Sequence, residues 1–235
     1  FGWRPVADDD LPETDDDAPV LRAMPVSAVG YRLVLPPGWL RLDARADAGR
    51  ARLDAELDRV LPKTYQPTLA PVVAQARAQA HSALHQARDA GALDLYLPLG
   101  GVRGIPIPAS FLVAVRRFAA APPPTLAAQG PEALAVALIA NLAATMPDAK
   151  TRMMAAGPAV RSTRPVTGAA SDTSPALTGV RVDYIWPVPG DAALWVMASF
   201  TTMRTPELPA SITDQLVALF DAIMSTWRWD PGLAL

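Results

Sequence analysis

Three runs in succession decide the fold: Val180-Arg181-Val182-Asp183-Tyr184-Ile185-Trp186, then Pro187-Val188-Pro189-Gly190-Asp191, then Ala193-Leu194-Trp195-Val196-Met197-Ala198-Ser199-Phe200. In the first, apolar residues alternate with Arg181 and Asp183. That is the period of a half-buried strand with Val180, Val182, Tyr184 and Trp186 on one face. The second breaks the ladder, because its two prolines lack N–H donors and Gly190 tolerates a positive φ. The third is apolar almost throughout, as a central strand covered on both faces should be. Together they read as an antiparallel hairpin over 178–203. A helix over 211–228 follows, opened by Ser211 and Asp214 at capping-box spacing. Ile212, Leu216, Leu219, Phe220, Ile223 and Trp227 form its apolar face, and Pro231-Gly232 ends it.

Working outward, Tyr31-Arg32-Leu33-Val34-Leu35 reads as a short first strand ended by Pro36-Pro37-Gly38, with Trp39 and Leu40 as core. Residues 45–61 read as an amphipathic helix with Leu53, Leu57, Val60 and Leu61 inward. A second, Ala-rich helix is expected from Pro67, a residue suited to a first turn, to about Ala90, where Gly91 stops it. Residues 92–97 and 110–118 read as strands joined across Gly100, Gly101 and Gly104. Ala121-Pro122-Pro123-Pro124 is a stiff connector. A third helix should span about 130–144, and two strands over 151–156 and 158–166 should flank Gly157. Residues 167–178 are a surface loop by composition. Hairpins with helices inserted between them imply an α+β fold, one antiparallel sheet with helices packed on it.

The chain has 235 residues, 51% hydrophobic and 19% charged, enough to bury a full core. No run approaches the ~20 apolar residues of a membrane helix. The absence of Cys removes disulfides, thiolate chemistry and Cys-ligated metal, and fits a cytoplasmic location. A first residue that is Phe rather than Met leaves a secreted form, after cleavage of a signal peptide, as the alternative. The net charge of −2 is uneven: seven acidic residues lie within the first 17 against one Arg4, and the remainder is about +4. Residues 1–19 are therefore an acidic tail that should order only when bound, and residues 20–235 a single domain. Phe1 and Trp3 stand out in that tail as aromatic docking anchors for a partner or for the domain itself.

The chemistry-bearing residues are sparse. His81 and His85 lie four apart on the second helix with Asp89 a turn further on, a spacing that can present ligands to a divalent metal. The hydrolytic zinc motif needs Glu after the first His, and Ser82 stands there. The pair therefore reads first as surface histidines, and no metal or cofactor is expected. No Gly-x-Ser-x-Gly is present, Leu99–Gly104 lacks the Lys of a phosphate loop, and Ser171, Asp172 and Ser174 sit in the surface loop, so no catalytic residue is assigned. Arg152, Arg161, Arg164 and Arg181 would make a basic strip if their strands are neighbours. Without interleaved aromatics and Lys, an acidic protein or the chain's own tail suits it better than nucleic acid. Trp229, beyond the capped helix, is the aromatic expected to be exposed for contact.

Val182-Asp183-Tyr184, Val188-Pro189-Gly190, Phe200-Thr201-Thr202, Leu219-Phe220-Asp221-Ala222-Ile223 and Trp227-Arg228-Trp229, with Leu35-Pro36-Pro37-Gly38-Trp39, resemble uncharacterised actinobacterial proteins of the Mog1/PsbP-like fold class. The resemblance covers about 30–230. It implies an α/β/α sandwich around an antiparallel sheet, here with a helical insertion after the first strand and without a lipidated Cys. Members of the class mostly bind other proteins: a nuclear-transport cofactor, a photosystem extrinsic subunit, bacterial lipoproteins and secretion-effector chaperones. The resemblance therefore implies a non-enzymatic adaptor or chaperone-like domain, in some members secretion-associated, whose partner is another protein. Two alternatives are a structural subunit anchored by its N-terminal tail and a metal-dependent enzyme built on His81 and His85. Oligomeric state is left open.

Overall fold

The hairpin expected around Gly190 forms the middle of the structure. The computed structural model describes residues 30–60, 70–99, 101–102, 105–117, 130–146, 148–167, 177–189, 191–205, 208–209 and 211–230. The elements, in order, are β1 (Gly30–Arg32), β2 (Trp39–Asp43), α1 (Asp47–Val60), α2 (Ala70–Asp89), β3 (Ala92–Pro98), β4 (Gly101–Val102), β5 (Ile105–Pro106), β6 (Ala109–Arg117), α3 (Pro131–Thr145), β7 (Lys150–Met154), β8 (Gly157–Thr167), β9 (Thr178–Val188), β10 (Asp191–Met203), α4 (Ser211–Ser225) and β11 (Arg228–Asp230). This is a mixed α+β structure with four helices among the described residues. Its large antiparallel sheet runs β2-β3-β6-β10-β9-β8-β7. The tail with Phe1 and Trp3, Leu61, Pro67, Gly100, Gly104, Pro122–Pro124, the loop over 168–176, Gly190 and Pro231-Gly232 lie outside the described residues.

β10 is the central strand, and both its faces are covered because it is apolar at successive positions. Val196, Ala198 and Phe200 join Val182, Tyr184 and Trp186 of β9 in a cluster with Leu216, Phe220, Ile223 and Met224 of α4. The alternate residues Trp195 and Met197 pack with Val160, Ile185 and Ile139 of α3 on the opposite face. Further along that second face, Leu53 and Leu57 of α1 and Leu84 and Ala87 of α2 cover Leu40, Leu42 and Leu95. Each large side chain so buried contributes about 1.5–3 kcal/mol.

β9 departs from the expected half-buried strand. Asp183 is only 4% exposed and Ile185 is buried, so its second face is covered too. Gly91 stops α2 as expected, with φ 64 and its N–H on the Arg88 carbonyl. Left-handed backbone there suits a residue without Cβ. Val60, expected inward, is 41% exposed at the end of α1.

The two chain ends differ most from expectation. Of residues 31–35 only Tyr31 and Arg32 are in a strand, and β1 does not join the large sheet. It pairs with β11, Tyr31 opposite Trp229. The last helix accordingly ends at Ser225, not at 228. Thr226 closes it by donating to the Ile223 carbonyl at 2.7 Å and accepting from the Val34 N–H at 2.9 Å. Trp227 follows in the turn, fully buried between Tyr31 and Trp186, with ring centroids 4.3 and 4.8 Å away.

Candidate functional site

The sheet ends at a basic flank formed by β7, β8 and β9. Met154 and Gly157 close the β7–β8 hairpin, and Gly157 has φ 109. Among the described residues β7 pairs only with β8, so its other side is a sheet edge there. Lys150, Thr151, Arg152 and Met153 are all exposed, Met153 at 77%. The register sets Lys150 opposite Arg161 and Arg152 opposite Ala159. Successive residues of a strand point to opposite faces. Lys150, Arg152 and Arg161 therefore lie on the α4 side, and Thr151 and Met153 on the α3 side. Neither Lys150 nor Arg152 has an ion pair among the described residues.

The four arginines of the expected strip do come to neighbouring strands, but on both faces. Arg152 and Arg161 face α4, whereas Arg164 and Arg181, cross-strand neighbours, lie on the other face. Two of them are occupied. Arg161 grips Asp221 of α4 in a bidentate pair, Nε to Oδ1 at 2.8 Å and Nη2 to Oδ2 at 3.0 Å, and also donates to Thr163. The Tyr184 hydroxyl donates to the same carboxylate at 2.9 Å. Burial, then the Asp221 charge, pushes that phenol up to about 12. Arg181 Nε lies 2.9 and 3.1 Å from the two oxygens of buried Asp183. Arg164, with its side chain 56% exposed, approaches Asp183 only to 3.9 Å. The charged side chains that a partner can reach on this flank are thus Lys150 and Arg152 on the α4 side and Arg164 on the other, with exposed Met153 at the hairpin end of β7. Arg161 ties β8 to α4, and Arg181 compensates the charge of Asp183 on its own strand.

Around Asp183 two polar rows cross the sheet. One runs Ser162, Asp183, Ser199, with the Ser199 hydroxyl donating to Asp183; the next runs Arg164, Arg181, Thr201, Ser110. Neither row belongs to the apolar clusters of α1, α2 or α3. They form a polar break in an otherwise apolar face, continuous with the basic flank.

A second ionic cluster lies at the far end of the sheet and was not marked by the sequence reading. Arg41 of β2 binds Asp94 of β3 at 2.9 and 2.8 Å, and the Tyr31 hydroxyl donates to Asp94 while meeting the Tyr96 hydroxyl at 2.9 Å. Burial first, and then the neighbouring Tyr96 and Asp94 for Tyr31 and Asp94 for Tyr96, holds both phenols above the usual tyrosine range. This cluster fastens β1 to the large sheet. Its hint in the sequence is Asp94 within Ala92-Leu93-Asp94-Leu95-Tyr96, since Asp is disfavoured in strand interiors.

Trp229 is not the exposed aromatic expected. It lies half-buried in β11, its indole N–H donating to the Ala156 carbonyl at 2.9 Å and its ring edge-on to Trp227. It braces the β7–β8 hairpin from the α4 side. His81 and His85 do not converge. His81 Nε2 pairs with Asp54 of α1 at 2.9 Å, and His85 Nδ1 with Asp89 at 2.7 Å. Among the described residues no three His, Cys, Asp or Glu side chains gather as metal ligands. A small cleft at the start of α4, lined by Thr202, Thr205, Ile212 and Leu216, has room for about one water molecule. No helix among the described residues is long and apolar enough to cross a membrane. No protein-family model matches this chain, and no curated protein matches it in sequence.

Proposed function

We propose that this protein is a non-enzymatic protein-binding domain, an adaptor or a chaperone-like one, that docks other proteins along its basic flank. The observation that carries the reading is the edge strand β7, with no second partner strand among the described residues and exposed along Lys150–Met153, and with Arg164 on the neighbouring strand past its Lys150 end. An unpaired edge offers backbone donors and acceptors to another chain, and surrounding charge selects which chain. The Mog1/PsbP-like resemblance points the same way, and helices on opposite faces of the sheet suit the α/β/α sandwich that it implies. A role beside a secretion effector in the cytoplasm is one form such binding takes in that class. The test uses the whole chain as bait in an extract of its source organism, next to a Lys150→Glu/Arg152→Glu/Arg164→Glu variant. The expected result is a partner retained by the wild type and lost from the variant at 0.15 M salt. Identical captured sets would remove the flank from the binding surface.

A further inference from the structure

We propose that β7 accepts an extended partner segment as an eighth strand, and that this segment alternates acidic and apolar residues. The inference rests on the protein-binding reading and adds the chemistry of the partner. β7 carries two side-chain sets on its two faces. Lys150 and Arg152, on the α4 side, are exposed cations without an ion pair among the described residues. Thr151 and Met153, on the α3 side, include the most exposed large apolar side chain described, Met153.

A strand added at this edge aligns its own side chains in the same two rows. Carboxylates in the row beside Lys150 and Arg152 would pair with them, and an apolar row would cover Met153. The alternation of the partner is thereby fixed by the alternation of β7.

The same charges argue against a second copy of this chain as the occupant. Antiparallel pairing of two β7 strands over their full length sets Arg152 against Arg152, and like charges directly opposite are destabilising. The chain's own residues 8–17 have the right charge, but they lack alternation, contain Pro12 and are rich in Asp, which strands disfavour. A segment of another protein with Glu and β-branched residues in turn fits both rows.

The experiment is a titration of the full chain, with backbone amides observed by NMR, using three synthetic peptides. One alternates Glu and Val, one has the same residues as a Glu block and a Val block, and one alternates Lys and Val. The alternating acidic peptide should bind at least fivefold more tightly than either of the others, with new amide protection within 150–154. Lys150→Glu/Arg152→Glu should reverse the preference toward the Lys peptide. Both side chains are exposed, so the fold should be kept; Met153→Asp, equally exposed, is the second variant and should weaken the acidic peptide severalfold. Equal binding of the blocked peptide would leave only charge attraction and overturn strand addition. So would protection confined to other strands, or indifference to both variants. Binding that appears only after residues 1–19 are deleted would make the acidic tail the occupant and overturn the partner assignment. If the peptides fail while the bait experiment still finds a charge-sensitive partner, strand addition falls and the protein-binding reading stands.

Discussion

Replacing Phe220 by Ala tests whether α4 covers the sheet through the face described. Phe220 is 1% exposed. Its ring stacks on Phe200 at 4.9 Å, leans on Phe111 at 5.4 Å and meets Tyr184 edge-on at 5.8 Å. Truncation removes the ring from all three and leaves a cavity between a helix and three adjacent strands, which cannot collapse together. Buried Phe→Ala substitutions cost about 3–5 kcal/mol, a figure that already contains the aromatic pairs. For a chain of this size each kcal/mol lowers Tm by about 2–4 °C, so a fall of about 6–20 °C is expected. Urea unfolding followed by Trp fluorescence and by far-UV circular dichroism measures it. Gln215→Ala, at an exposed position on the same helix, is the control and should stay within about 0.5 kcal/mol of wild type. If Phe220→Ala unfolds at the same midpoint as Gln215→Ala, the helix face has been assigned wrongly.

Three further outcomes follow from the ionic clusters. Tyr184 sits at about 12 in the folded state and near 10 when unfolded, so the unfolded chain loses its proton first. The stability held by this neutral phenol is complete below pH 10 and falls by up to about 1.4 kcal/mol per pH unit between pH 10 and 12. Urea midpoints at pH 9 and 11 should show a smaller drop for Tyr184→Phe than for wild type, and equal drops would contradict the assignment. Asp183→Ala should cost about 3–5 kcal/mol, because Arg181 and Ser199 lose a buried partner. In a double-mutant cycle with Arg181→Ala the two losses should add to clearly more than the double variant's loss; simple additivity would mean that the pair is not coupled. His81→Ala/His85→Ala should change stability by under about 1 kcal/mol, since half-buried His81 and exposed His85 each pair with a solvent-exposed carboxylate, and Zn²⁺ should not shift Tm. A saturable, histidine-dependent shift with Zn²⁺ would revive the metal-enzyme alternative.

The hairpin and its closing helix were legible because their periods differ. Alternation from Val180 to Trp186 marked a strand, and the spacing Leu216, Phe220, Ile223 marked a helix face, and each of these residues except Val180 and Arg181 is buried. Of the N-terminal strand read over 31–35 only Tyr31 and Arg32 are in a strand, and the C-terminal strand was not legible, because three residues have no period to read. β1 and β11 exist only through their mutual pairing across 198 positions, which also turns Trp229 inward. The basic strip was misread by parity. Arg161 and Arg164 are three residues apart on one strand, an odd spacing that places them on opposite faces. Asp94 and Asp183 looked like solvent-facing members of alternating strands. Each is instead buried because a cation and a hydroxyl satisfy the carboxylate: Arg41 and Tyr31, 53 and 63 positions away, for Asp94, and Arg181, two residues back on the same strand, with Ser199 of β10 for Asp183.

The central claim is that other proteins dock at the β7 edge, and site-directed photo-crosslinking addresses it most directly. A benzophenone side chain is placed at Met153, and in separate proteins at Val34 and Val136, exposed by 68% and 55% on other parts of the surface. Irradiation in extract of the source organism should give a discrete protein adduct from position 153 that disappears with Lys150→Glu/Arg152→Glu. Adducts of equal yield from Val34 or Val136, or an adduct at 153 unchanged by the charge reversal, would contradict docking at this edge.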